Sequence, residues 1–290
     1  MKTKLMIAIS FLILAVSCNQ TEKEFQNDAI VASCEQDAYD DLLLQLDEYN
    51  AQFNIETKVN EKGRFWKRLG WITLCDLSGF AIVTGLSKNP ILGLFGGAIL
   101  SISAFVGVYD NTKSIDLVLP VNLGTENLYS SYENFCDSAG FWHNKIIRDI
   151  YERDTTCFAT YSEEQFYSAA EELFKVYFPD VSLPIGINEN LIQISTLMES
   201  LNDKSIDETF DTISLLYPEI ASELSVIQVY CEAINELETE DDLSNYSVGF
   251  RQLVLDSNIP DSSKENIQGS VSVAGSSKIL WMDSCPQLAP

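Results

Sequence analysis

The chain has 290 residues, 46% of them hydrophobic and 21% charged, with 43 acidic against 18 basic side chains and one histidine. This length allows one large domain or two small ones, and the apolar content is that of a globular protein rather than a disordered one. The formal charge of −25 disfavours binding to phosphate backbones, so no nucleic-acid partner is expected, and a single histidine excludes a multi-histidine metal site.

The N-terminus reads as an export signal. Lys2 and Lys4 precede an apolar run from Leu5 to Val16, and Ala15-Val16-Ser17 then leads into Cys18. A cysteine directly after such a site resembles a lipobox, in which the thiol is acylated and becomes the mature N-terminus. Residues 1–17 are therefore expected to be a lipoprotein signal peptide, with Cys18 as the lipid anchor. The bland alternative is an ordinary signal peptide with Cys18 incidental. The apolar run is too short to span a bilayer, which takes about 20 residues. Residues 18–35 are largely polar and read as a tether, and the helical domain is expected over 36–290.

Six further cysteines follow: Cys34, Cys75, Cys136, Cys157, Cys231 and Cys285. Export makes disulfides possible, but their spacing selects no pairing and contains no CxxC.

Helical periodicity dominates the rest. Tyr39, Leu42, Leu43, Leu46 and Tyr49 form a stripe over 36–52 beside four acids. Two apolar helices are expected over 62–86 and 90–109. Residues 111–125 look irregular, with a short extended run at Leu117 to Leu119. A helix near 137–153 follows, with Asp137 or Ser138 as its cap. Ser162-x-x-Gln165 and Ser205-x-x-Glu208 are capping boxes. Pro179 ends one helix and Pro218 suits the first position of another. Ser262-x-x-Glu265 opens a last helix over 262–283. Short connections between so many helices predict an all-α multi-helix bundle with a Gly-containing apolar helical hairpin.

Residues 58–110 carry the strongest pattern. Lys58, Lys62, Arg64, Lys67 and Arg68 interleave with Phe65, Trp66 and Trp71. From Trp71 to Leu86 the only charge is Asp76, and residues 91–109 carry none. Gly93, Gly97 and Ser101 recur every fourth position, as do Ala81 and Gly85. Such spacing removes bulk from one helix face and lets two backbones approach closely. Two readings follow. The hairpin enters a bilayer, with basic and aromatic residues at headgroup level. Or it is the buried core of a soluble bundle, which avoids placing Asp76 in lipid at a cost of roughly 2.5–3.5 kcal/mol.

The lone histidine sits in Asp137-Ser-Ala-Gly140-Phe-Trp-His143-Asn144. Asp137, His143 and Asn144 form a candidate polar site, although no nucleophile motif accompanies them, so no catalytic residue is assigned and His143 reads as a buried, hydrogen-bonded side chain. This string, the Gly-rich segment headed by Trp71 and Asp76, and Val273-Ala274-x-x-Ser277-x-x-x-Trp281 together resemble a family of uncharacterised bacterial lipoproteins. That resemblance implies a lipobox, a D-x-x-G-x-x-H-N string and an apolar hairpin, and carries no activity.

Other chemistry finds little support. Asp203-x-Ser205-x-Asp207-Glu208 lacks the glycine of a calcium loop. The acidic run from Glu236 to Asp242 reads as a solvated helix end. No phosphate loop or dinucleotide fingerprint appears, so no cofactor and no metal are expected. Asp137-Ser-Ala, Asp154-Thr-Thr and Asp211-Thr-Ile resemble a bacterial O-glycosylation tripeptide. Residues 154–290 hold 24 acids and five bases, so that part should stay in water, away from anionic membrane surfaces. A lipid-anchored cell-envelope protein is expected, attached to the membrane through acylated Cys18, with a binding or structural role and a possible protein partner. The alternative is a membrane-active effector that inserts the 71–109 hairpin into a bilayer.

Overall fold

A computed structural model describes the backbone of residues 22–53, 64–110, 128–129 and 133–284, and the side chains of residues 35–53, 69–106, 128–129 and 133–282. Residues 1–17, expected to be a signal peptide, Cys18, Lys58, Lys62, the 117–119 run and Cys285 lie outside the described residues, as do the side chains of Cys34, Arg64, Phe65, Trp66, Lys67 and Arg68.

Eleven α-helices and no strand occur among the described residues, and the chain is an all-α multi-helix bundle. In chain order they are α1 (Glu22–Gln52), α2 (Arg64–Ser87), α3 (Pro90–Asp110), α4 (Phe135–Arg153), α5 (Cys157–Thr160), α6 (Glu163–Tyr177), α7 (Ile187–Leu201), α8 (Ile206–Leu216), α9 (Ala221–Glu236), α10 (Glu240–Asp256) and α11 (Asp261–Ser284). A 3-10 turn at Pro218–Ile220 leads into α9, so Pro218 opens that turn rather than the α-helix itself.

The local signals act mostly as expected. Ser162 and Ser205 each accept from the backbone N–H three residues on, and Gln165 and Glu208 return the bond. Three details differ. The helix expected over 36–52 starts earlier, at Glu22. Asn134, not Asp137 or Ser138, caps α4, and Asp137 supplies the returning carboxylate of the capping box. The last helix starts at Asp261, which places Ser262 inside its first turn.

The hairpin of α2 and α3 is the centre of the molecule. α11 packs against both arms, α4 packs on α3 and α11, α6 and α7 cover α3, α9 packs on α2 and α11, and α1 lies over α9 and α10. The arms meet where a Cβ at Gly79 would lie 2.8 Å from the carbonyl oxygen of Gly96. Gly93 and Gly97 face the first arm too, at Thr84 and the Asp76 carbonyl. Gly85 does not join that face and meets Ile220 instead, while the Ala81 carbonyl accepts from Asn266 of α11. Trp71 is half-buried against the core.

α11 is the unusual element. Residues 266–281 are buried without interruption although they include four serines and Lys278. A helix buried all round is normally apolar. Here small side chains bring the neighbours close and several of the polar groups find bonds. Ser270 donates to the Asn266 carbonyl at 2.8 Å, and Ser272 donates to the Asp137 carbonyl at 2.9 Å. Gly140 of α4 sits so close that a Cβ there would lie 2.2 Å from the Ser272 carbonyl oxygen. Lys278 donates to the carbonyls of Ile234 and Leu237, where a cation answers the unpaired acceptors at the end of α9.

Candidate functional site: a buried polar cluster

The sequence offers Asp76 in the hairpin and the Asp137, His143, Asn144 string as separate features. The bundle rearranges them into two sites.

The first lies at the centre. Asp76 from α2, Ser101 from α3, His143 and Asn144 from α4, and Ser276, Ser277 and Trp281 from α11 converge. The Ser277 hydroxyl donates to Asp76 Oδ2, and Trp281 Nε1 donates to Ser101 Oγ at 3.4 Å. Asn144 donates through Nδ2 to the Ser276 carbonyl at 2.8 Å. Its Oδ1 lies 2.9 Å from His143 Nδ1, which must then carry the donated proton. His143 Nε2 is 3.9 Å from Asp76 Oδ2, beyond hydrogen-bond range. Both Asp76 Oδ1 and His143 Nε2 lack a hydrogen-bond partner among the described residues.

Asp76 and His143 are fully buried. Burial penalises the charged form of each, so they shift in opposite directions. Desolvation lifts the Asp76 carboxyl well above the usual carboxylate range, against the pull of the Ser277 and Ser101 hydroxyls. Desolvation lowers His143 to about 4, against the opposing pull of Asn144 and the nearby Gly97 backbone. Burial thus favours the protonated acid and the neutral imidazole.

This arrangement is not a nucleophile's triad. The serine hydroxyl bonds the carboxyl rather than the histidine, and the histidine is turned toward an amide. Catalysis of that type needs the base within reach of the hydroxyl it activates. What the cluster does is tie four helices together at one level of the core.

Asp137 does not belong to that cluster. It accepts from Arg251 Nε at 2.6 Å and Nη2 at 2.7 Å, and from the Glu133 backbone N–H at 2.9 Å. The Arg251 guanidinium lies over the Tyr129 ring, and its bonds to Asp137 raise its own pKa further. This two-pronged ion pair fastens α10 to the start of α4. Sequence reasoning missed Arg251, which lies 114 residues from its partner and has no local motif around it. Ser277 and Trp281 were visible only as part of a resemblance, and their roles required the fold.

The four described cysteines, Cys75, Cys136, Cys157 and Cys231, are buried free thiols. Burial pushes Cys136, Cys157 and Cys231 up to about 12, so these thiols are poor nucleophiles. No group of three or more His, Cys, Asp or Glu side chains suited to a metal ion occurs among the described residues. No family model, curated protein or solved structure matches the chain.

Proposed function

We propose that the protein is a lipid-anchored cell-envelope protein whose acidic helical body has a binding or structural role rather than a catalytic one. One observation carries this reading: the apolar hairpin is covered by the protein's own helices. The window from Leu69 to Ser87 is apolar and long enough to cross a membrane, yet 89% of it is buried inside the bundle. A hairpin already packed in protein leaves membrane attachment to acylated Cys18. The lipobox-like sequence before Cys18 supports that anchor, and so does the resemblance to uncharacterised bacterial lipoproteins. The course of α1 supports it as well. Among the described side chains Tyr39 is the first that is buried, Glu35, Gln36 and Asp37 are exposed, and α1 continues from there toward Glu22. A non-catalytic role is supported by the seal over Asp76 and His143, which gives no reacting group access to substrate.

The second reading is a membrane-active effector that inserts the hairpin. It is favoured by the state of Asp76, which burial already holds toward its neutral form and which would therefore enter lipid without a charge to shed.

Replacing Cys18 by Ser in the full chain tests the two. The anchored reading expects the variant to leave the membrane fraction and appear in the soluble envelope fraction. A variant that stays membrane-bound, and is released only when residues 71–109 are deleted, would overturn it in favour of insertion.

A further inference from the structure

Three places in the chain match the tripeptide that resembles a bacterial O-glycosylation sequence, and the fold separates them sharply. Ser138 lies inside α4 with its hydroxyl donating to the Phe135 carbonyl at 2.8 Å. Thr212 lies inside α8 with its hydroxyl donating to the Glu208 carbonyl at 2.7 Å. A glycosyl acceptor in either helix would have to break a bond and unwind a turn to reach an enzyme's active site. Thr155 is different. It sits exposed in the turn between α4 and α5, flanked by exposed Glu152, Arg153, Thr156, Ala159 and Thr160. Asp154 shapes that turn by accepting from the Thr156 N–H at 2.9 Å and from the Thr156 hydroxyl at 2.7 Å. These bonds leave the Thr155 hydroxyl, not that of Thr156, as the one presented outward.

The turn's position in the molecule fits an acceptor as well. Phe158, just after it, packs on Phe105 and Trp281, near the far end of α3. α1 leaves the body beside Glu223 and Ser263, close to Ile220 and the hairpin turn at Gly85. Pro90 to Phe105 spans about 22 Å of helix. The Asp154–Thr155 turn is therefore at the opposite end of the bundle from the helix that leads to Cys18.

We propose that Thr155 is an O-glycosylation site on the membrane-distal end of the protein. The proposal rests on the envelope reading above, because the donor is a pyrophosphate-activated glycan used by a transferase on exported chains. The Thr155 Oγ1 attacks the anomeric carbon of that donor. The bond from this carbon to the phosphate oxygen breaks as the new C–Oγ1 bond forms. The hydroxyl proton passes to a base of the transferase, and the pyrophosphate leaves as an anion with no change of oxidation state.

The test is mass spectrometry of the full-length protein isolated from the envelope of the cell that makes it. The tryptic peptide 154–175 should carry a glycan mass that electron-transfer fragmentation places on Thr155. Thr155→Ala and Asp154→Glu should abolish it, and Thr156→Ala should retain it, all with unchanged thermal melts. An unmodified 154–175 peptide in protein cleaved after Ser17 overturns the site and leaves the envelope reading standing. A glycan placed on Thr156 or Thr160 also overturns it. A mature chain that still begins at Met1 overturns the envelope reading, and this proposal with it.

Discussion

Asp76 and Asp137 are both carboxylic acids sealed in the same bundle, and they are accommodated in opposite ways. Asp137 meets a guanidinium with two parallel bonds, plus the backbone N–H of Glu133. Asp76 meets only hydroxyls and a neutral imidazole too far away to bond. The difference shows what an interior does with a charge. Where a cation can be brought to it, the charge stays and becomes a clamp between helices. Where none can, burial removes the charge by moving the pKa. The first site is strong and brittle, and the second is weaker and sensitive to pH.

The largest expected effect comes from breaking the clamp. Asp137→Ala leaves Arg251 without its partner and removes half of the α4 capping box. Removing one member of a buried pair costs about 3–5 kcal/mol, and chemical denaturation should show a loss of that order. Asp76→Asn should cost far less, because burial already favours the neutral acid and the amide that replaces it can still accept from Ser277. Equal losses in the two variants would contradict the contrast.

Gly140→Ala ranks next. Its new methyl would lie 2.2 Å from a backbone oxygen of α11, which cannot swing aside as a side chain could. Overpacking at such a contact costs roughly 1–3 kcal/mol, read as a lower melting temperature.

The pH dependence sharpens the account of the central pair. Asp76 has a raised pKa in the folded state, so its contribution is fully present below the unfolded value near 3.8 and is lost as pH rises through its folded value. His143 has a lowered pKa, so its contribution is lost as pH falls from 6.5 to about 4. As pH rises from about 4 the two slopes oppose each other. Each single variant should expose the slope of the other. Asp76→Asn should gain stability relative to wild type as pH rises above about 4, by about 1.4 kcal/mol per unit. His143→Gln should gain on wild type as pH falls through the same window, by a total of about 3 kcal/mol. Parallel stability curves for variant and wild type would mean that the pair is an ion pair instead.

The smallest effects belong to the exposed helix ends. Ser162→Ala and Ser205→Ala each remove one capping box and should cost about 1 kcal/mol, with no change in the pH profile.

Much of the fold was legible in the sequence because its signals are local. A serine with Gln or Glu three positions on fixes a helix start wherever the helix later packs. The alternation of apolar stripes with Pro and Gly breaks places most boundaries within a few residues. The sites were legible only in part. Asp76 stood out because charge is rare in an apolar segment, and His143 because it is the lone histidine. Their meeting could not be read, since nothing local links α2 to α4. The pairing of Asp137 with Arg251 was missed for the same reason, so Asp137 was grouped with its neighbours in sequence rather than its partner in space. The glycine spacing indicated close helix packing correctly at Gly93 and Gly97. Gly85 makes its close approach to Ile220 instead of the second arm, because which face of a helix meets which neighbour is decided by the other elements packed around it as much as by its hairpin partner.

The central claim is that the apolar hairpin is protein core. Vesicle flotation of the chain from Asn19 to Pro290, without Cys18 and hence without lipid, tests it most directly. The account predicts a protein that stays soluble without detergent and remains at the bottom of the gradient. A chain that floats with the vesicles, and ceases to float when residues 71–109 are deleted, would contradict it.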